Sequence, residues 1–425
     1  MKKFGLLFLV LLVMGMLVSV SAYAEEDELT GTLTIWSWGA GAEKEAREEM
    51  VEAFAEKHPE LEIKHSVIPT EDSVWDQKQA AAFAAGNAAD VMQMSPDYYG
   101  LMTEHYEDLN PYLEKDDINL DEVVTDGMMD GYYRPNDKLE ALPLLANTFV
   151  FAYNKDMFDE FGVEYPTDDW TWEDYAEMAP EFASGEGFNR TYFMANHWVT
   201  PNFGIIAKGG KPYTDDLQTP LIDSEEVAES LNMFGELVDD GAMPSSSASQ
   251  NMPQQQLFIN ERAAVYPIGG FEIVSLVEEI GDSFEWDAVL PPKTNEDGEN
   301  TNITYATGYA MNKDAENKEA AWEFLKEASF ANEEMQKITA KIGMPANKEV
   351  ANNYYSDITN GPVPNSKFIE GMTTSTLNPW GGAFATAGDE WEQMWENVID
   401  TDMTAEEAQE KYVPLIEEAF EELDL

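Results

Sequence analysis

The sequence contains no cysteine. That excludes disulfides, thiolate-bound metals, cysteine nucleophiles and a lipid anchor on cysteine. Positive charge is scarce too: 24 lysines and arginines face 83 aspartates and glutamates, for a formal net charge of −59. Nucleic acid and anionic membrane surfaces are poor partners for such a chain, because both are held through positive charge. The four histidines, His58, His65, His105 and His197, fall in no metal-binding spacing and read as structural. A Gly-x-Ser-x-Gly elbow and a phosphate-cradling glycine loop are both absent, as are internal repeats and heptad runs. No cofactor and no metal is expected.

One apolar run stands out, from Phe4 to Val20, preceded by Lys2 and Lys3 and followed by Ala22-Tyr23-Ala24. It has the layout of a secretory signal over residues 1–24, and it is short for a spanning helix. Cleavage would leave an exported chain with no membrane insertion, two charges more negative than before. With 44% hydrophobic residues the chain can bury a sizeable core, so its acidity does not mark a disordered tail. The acids are spread from end to end, where mutual repulsion opposes compaction unless salt screens it. A salt-adapted protein is expected; an ordinary acidic secreted protein is the alternative.

The early chain alternates between strand and helix. Thr32–Trp38 has strand alternation, Ala42, Ala46, Met50 and Phe54 share a helical face, and Leu61, Ile63 and Val67 mark a second strand. An alanine-rich helix over 77–85 ends at Gly86-Asn87, and Asp90–Met94 reads as a third strand. This βαβαβ order predicts an α/β fold with parallel pairing. Thr148–Tyr153 then reads as a buried strand. Met157, Phe158 and Phe161 form a short helical face closed by Gly162, and Thr171 with Asp174 forms a capping-box-like pair. Helices are also expected over 225–238 and 405–425.

The order of Pro143, the apolar strand ending Tyr153-Asn154-Lys155-Asp156, Gly162, Pro166 and Thr171-Trp172-Glu173-Asp174-Tyr175 resembles the extracellular solute-binding proteins of ATP-binding-cassette sugar importers, the family of maltose-binding protein. The segments at 261–271, 288–292, 307–325 and 343–346 follow the same family pattern in order. The resemblance implies a two-lobed type II periplasmic-binding-protein fold with three hinge crossings. One lobe would hold 29–145 plus 304–345 and the other 149–300 plus 348–425, with hinges near 146–148, 301–303 and 345–347. It implies a monomeric binding protein, not an enzyme, that passes a mono- or oligosaccharide to membrane permease subunits. Without a lipidated cysteine, the soluble periplasm is the implied location.

A neutral sugar offers an apolar face for an aromatic plane and hydroxyls for carboxylate and amide groups. The chain supplies these materials in its 11 tryptophans and many acids. The resemblance places Trp36 and Trp38 at the ligand-facing loop after the first strand, Asp97 after the third, and Asn147 at the hinge, where maltose-binding protein has glutamate. Phe271 stands where the family has a stacking tryptophan, and Trp198 and Trp380 complete the set. Three alternatives remain at this stage: a secreted carbohydrate-active enzyme, the same fold around betaine or a polyamine, or ferric iron held by a tyrosine doublet (Tyr98-Tyr99, Tyr132-Tyr133 or Tyr354-Tyr355).

Overall fold

The computed structural model describes residues 28–69, 74–96, 103–129, 132, 138–214, 219–249, 254–377 and 387–421. Its strands form two main sheets. The first contains β1 (Gly31–Trp38), β2 (Leu61–Ile68), β3 (Val91–Met94), β4 (Ala141–Asn147), β9 (Asn302–Met311) and β10 (Met344–Pro345), with β13 (Ser375–Leu377) beside β9. The strand β1 runs parallel to β2 and β3, as the βαβαβ reading requires, and β9 returns antiparallel between β3 and β4. The second sheet has the order β6 (Tyr192–Met194), β7 (Ala263–Gly269), β5 (Phe149–Asn154), β8 (Trp286–Val289). A hairpin of β11 (Thr359–Asn360) and β12 (Val363–Pro364) stands apart.

The run Phe149–Asn154 is buried throughout because its sheet is covered on both faces. Phe149, Phe151 and Tyr153 enter one core cluster, with Trp172, Phe203, Phe234 and Trp395, while Val150 and Ala152 enter another, with Tyr266 and Trp286. The core of the first sheet takes Leu33 and Ile35 from β1 and Leu142, Leu144 and Leu145 from β4. Local signals act as read: Gly162 ends the helix Lys155–Phe161 in the left-handed conformation, and Thr171 and Asp174 form a full capping box on Trp172–Met178.

Thr148 alone separates β4 from β5, so the chain passes between sheets in one residue. The side chain of Asn302, at the start of β9, clamps the same place: its Nδ2 donates to Phe149 O at 2.9 Å and its Oδ1 accepts from Phe149 N at 3.1 Å. Thr148 Oγ1 donates to Phe368 O at 2.8 Å, bringing in the helix Ser366–Met372. Later the chain stays with the first sheet longer than the expected crossing at 345–347. Pairing of Met344 with Ala146 leads into a turn whose Ala351 and Tyr355 are packed in the first core, and Val363 is the next residue to join a core of the second sheet.

Candidate functional site

Phe149 is fully buried at the root of β5, and aromatic rings gather over it. Trp198 lies 6.1 Å away, Phe271 6.3 Å and Tyr305 5.8 Å, all edge to face. Trp198 and Phe271 are 49% and 43% exposed although they are large apolar side chains, and their ring centres stand 6.4 Å apart with planes tilted by 36°. Two half-exposed rings over a buried aromatic base form a platform on which a flat apolar surface can lie.

Local sequence builds each arm. After β6, His197 N donates to Thr200 Oγ1 at 2.9 Å and Val199 N donates to His197 Nδ1 at 3.1 Å, a tight turn that opens the helix Thr200–Ile206 and leaves Trp198 at its tip. At the end of β7 the ring of Phe271 folds back over Gly269, where any Cβ would collide with it. Tyr305 is held by Asn202, whose Nδ2 donates to Tyr305 OH at 2.6 Å.

Polar groups ring the platform. Asn147, at the end of β4 and opposite Tyr305, is 8% exposed, and its Oδ1 has no hydrogen-bond partner among the described residues. Gly270 and Gly343 leave room for this amide, since a Cβ on either would come within 2.8 or 2.9 Å of it. On another side, a recess of about 260 Å³ is bordered by Trp198, Asn196, Ser246, Gln254, Glu392 and Glu396. Burial raises the Glu392 carboxyl above its usual range, and the negative charges of Glu396 and Asp389 add to the effect.

The expected site residues thus divide. Trp198, Phe271 and Asn147 come together at the junction of the sheets. Trp36 and Trp38 point off the face of β1 opposite Leu33 and Ile35 and join a satellite cluster with Ile68 and Trp75. Trp38 is 8% exposed and packs edge-on to Trp75 at 5.2 Å, and Lys78 Nζ sits 5.1 Å over the Trp36 ring. Asp97 and Trp380 lie outside the described residues, as do Tyr98, Tyr99 and Tyr133. In the remaining doublet Tyr355 is a core residue and Tyr354 lies under Lys337, so the two do not present a joint pair of ligands. Phe149, Tyr305, Asn202 and His197 were not legible as site residues. The first reads as a core strand residue and His197 as one more structural histidine.

The model of the bacterial extracellular solute-binding protein family matches residues 39–333. The chain belongs to that family. Among solved structures, a solute-binding protein is matched by an ABC substrate-binding protein of Listeria monocytogenes in complex with cycloalternan, at 25% identity and TM-score 0.76 over 92% of this chain and 100% of that one. The sugar-binding protein MalE of Xanthomonas citri matches at 18% identity and TM-score 0.78, over 92% and 98%. The GacH receptor of Streptomyces glaucescens matches at 18% identity and TM-score 0.74, over 93% and 100%. A binding protein of Brucella abortus is 24% identical over 330 residues, covering 72% of this chain and 74% of its own. The solute-binding fold is two-lobed and of type II, and among the described residues no helix is long and apolar enough to cross a membrane.

Proposed function

We propose that this solute-binding protein is the sugar-capturing component of an ABC importer and that its ligand, a mono- or oligosaccharide, stacks on Trp198 and Phe271. The observation that carries the reading is the half-exposed pair of rings over Phe149, beside the unpartnered acceptor of Asn147. A sugar ring laid on that pair would direct one hydroxyl towards Asn147 Oδ1 and others into the recess at Asn196, Ser246 and Gln254. The Listeria relative holds cycloalternan and GacH was solved with acarbose, both carbohydrate-like ligands, which supports a saccharide here.

Lobes of 29–145 plus 304–345 and 149–300 plus 356–425 close on the ligand by rotation about the crossings, and the 348–355 turn, packed in the first core, moves with the first lobe. The closed form is what the permease subunits read. Residues 1–24 serve as an export signal, and the mature chain works as a monomer in the periplasm. Asp97 and Trp380 complete the site, while Trp36 and Trp38 support its first-lobe wall.

A carbohydrate-active enzyme is favoured by one observation, the raised Glu392 carboxyl next to the platform. Glu392 and Glu396, however, are one helical turn apart on Gly388–Asp400 and share a face. Carboxylates that cleave a glycosidic bond flank it from opposite sides. Binding without turnover is the better-supported reading.

The mature protein, in molar salt, is titrated with mono- and oligosaccharides, betaine, spermidine and ferric iron while tryptophan emission and melting temperature are followed. One saccharide should give a saturable response with no product formed. A response confined to betaine, spermidine or iron would keep the fold and overturn the sugar; released product would establish an enzyme.

A further inference from the structure

Trp198 and Phe271 belong to separate loops, one after β6 and one after β7, yet their ring centres stand 6.4 Å apart. A single carboxylate lies between the roots of these loops. Glu272 Oε1 accepts from Tyr266 OH at 3.1 Å, and Oε2 accepts from Gly269 N at 3.2 Å. The same Oε2 is 3.3 Å from His197 Nε2. His197 Nδ1 already accepts from Val199 N, so a neutral imidazole carries its proton on Nε2, the nitrogen that faces Glu272. The His197 ring is 1% exposed and packs against Tyr266 at 5.2 Å and Trp198 at 5.2 Å. Burial, followed by the Glu272 charge, raises Tyr266 far above the usual phenol range, so its hydroxyl stays a donor.

We propose that Glu272 is the positioning residue of the platform: through Gly269 and Tyr266 on one side and His197 on the other, it sets the spacing of Phe271 and Trp198. The proposal rests on the sugar-platform reading for its consequence but not for its geometry. Glu272 is itself only 19% exposed, and its oxygens are turned to Tyr266, Gly269 and His197. Its carboxylate fits this task because it accepts from Tyr266 and Gly269 and sets its negative charge 3.3 Å from His197 Nε2, which makes no hydrogen bond among the described residues, whereas an amide in its place keeps one acceptor oxygen and turns a donor towards the other partners. Gly269 serves the same end, because the Phe271 ring occupies the space of its missing Cβ.

The test uses full-length mature protein labelled with 5-fluorotryptophan, with the Trp198 resonance assigned from Trp198→Phe. Without any ligand, Glu272→Ala should move or broaden the Trp198 fluorine signal and leave that of Trp322, in the other lobe, in place. Glu272→Gln should give an intermediate shift. With maltotriose, acarbose and cycloalternan as probes, Glu272→Ala should weaken whichever binds by about tenfold, a change of about 1.4 kcal/mol. In a background that carries both Trp198→Ala and Phe271→Ala the same substitution should cost little more, since the rings it positions are gone. An unmoved Trp198 signal in folded Glu272→Ala protein overturns the proposal. If none of the probes binds the wild type, the sugar reading is at fault and the fluorine signal still decides on Glu272. If Glu272→Ala fails to fold, the Glu272→Gln signal decides by the same criterion.

Discussion

Asn147 Oδ1 is buried without a hydrogen-bond partner among the described residues, and an acceptor in that state costs the fold about 1–3 kcal/mol. A ligand hydroxyl meeting it would recover that free energy in the complex. Asn147→Ala should therefore weaken binding of the captured sugar about tenfold, measured by calorimetry, while the melting temperature of the ligand-free protein holds or rises. His65 makes a separate prediction. Burial on β2 beside β1, where its Nε2 meets Ser37 Oγ at 2.9 Å, pushes the imidazole down to about 4 from an ordinary value of 6.5, opposed by Glu48 and assisted by Arg47. Between those values acid protonates the unfolded chain and not the folded one, so stability is complete above about pH 6.5 and falls as pH drops towards 4. The loss is on the order of 3 kcal/mol. Melting curves of His65→Gln should lose much of this slope between pH 7 and 5, whereas an unchanged slope would place the titrating group elsewhere.

Among the elements, the junction of β4, β5 and β9 depends on one amide. Asn302→Ala would strip partners from both Phe149 N and Phe149 O in a buried setting, and should destabilise the protein by about 2 kcal/mol or more in urea unfolding. Gly371→Ala should have a related effect, since its Cβ would stand 2.5 Å from Asn302 Nδ2. At this scale the sequence was most legible. The Thr148–Tyr153 run announced a strand covered on both faces, and Gly162, Thr171 and Asp174 announced helix ends, because propensity and capping act within a few residues. Which face of a strand meets which neighbour was not legible. Trp36 and Trp38, expected in a ligand-facing loop after the first strand, lie within β1 itself, and their neighbours on that face, Ile68 and Trp75, come from later elements. For the same reason Glu272 and His197, 75 positions apart, gave no joint signal; Trp198, Phe271 and Asn147 were named beforehand, and those by resemblance to a family.

For the whole molecule, the formal charge of −59 sets the conditions under which two lobes stay compact. The few cations are drawn into pairs, such as Lys57 with the buried Glu327 at 2.6 Å and Lys326 with Asp116 at 2.9 Å, so most acids have no such partner to offset their repulsion. If the chain is salt-adapted, its melting temperature should climb steeply between dilute buffer and 1 M KCl, where the screening length falls to about 3 Å. A flat response would return it to the ordinary acidic secreted proteins. The distribution of the aromatics has a consequence in time. Both exposed rings stand on loops of the second sheet, while Trp36 and Trp38 are committed to their own cluster on the first. An arriving ligand thus has a complete landing surface on one lobe before the other takes part. Capture should run in two steps, a fast encounter followed by a slower swing, and in stopped-flow mixing the observed rate should climb with ligand concentration and then level off at the speed of the swing itself.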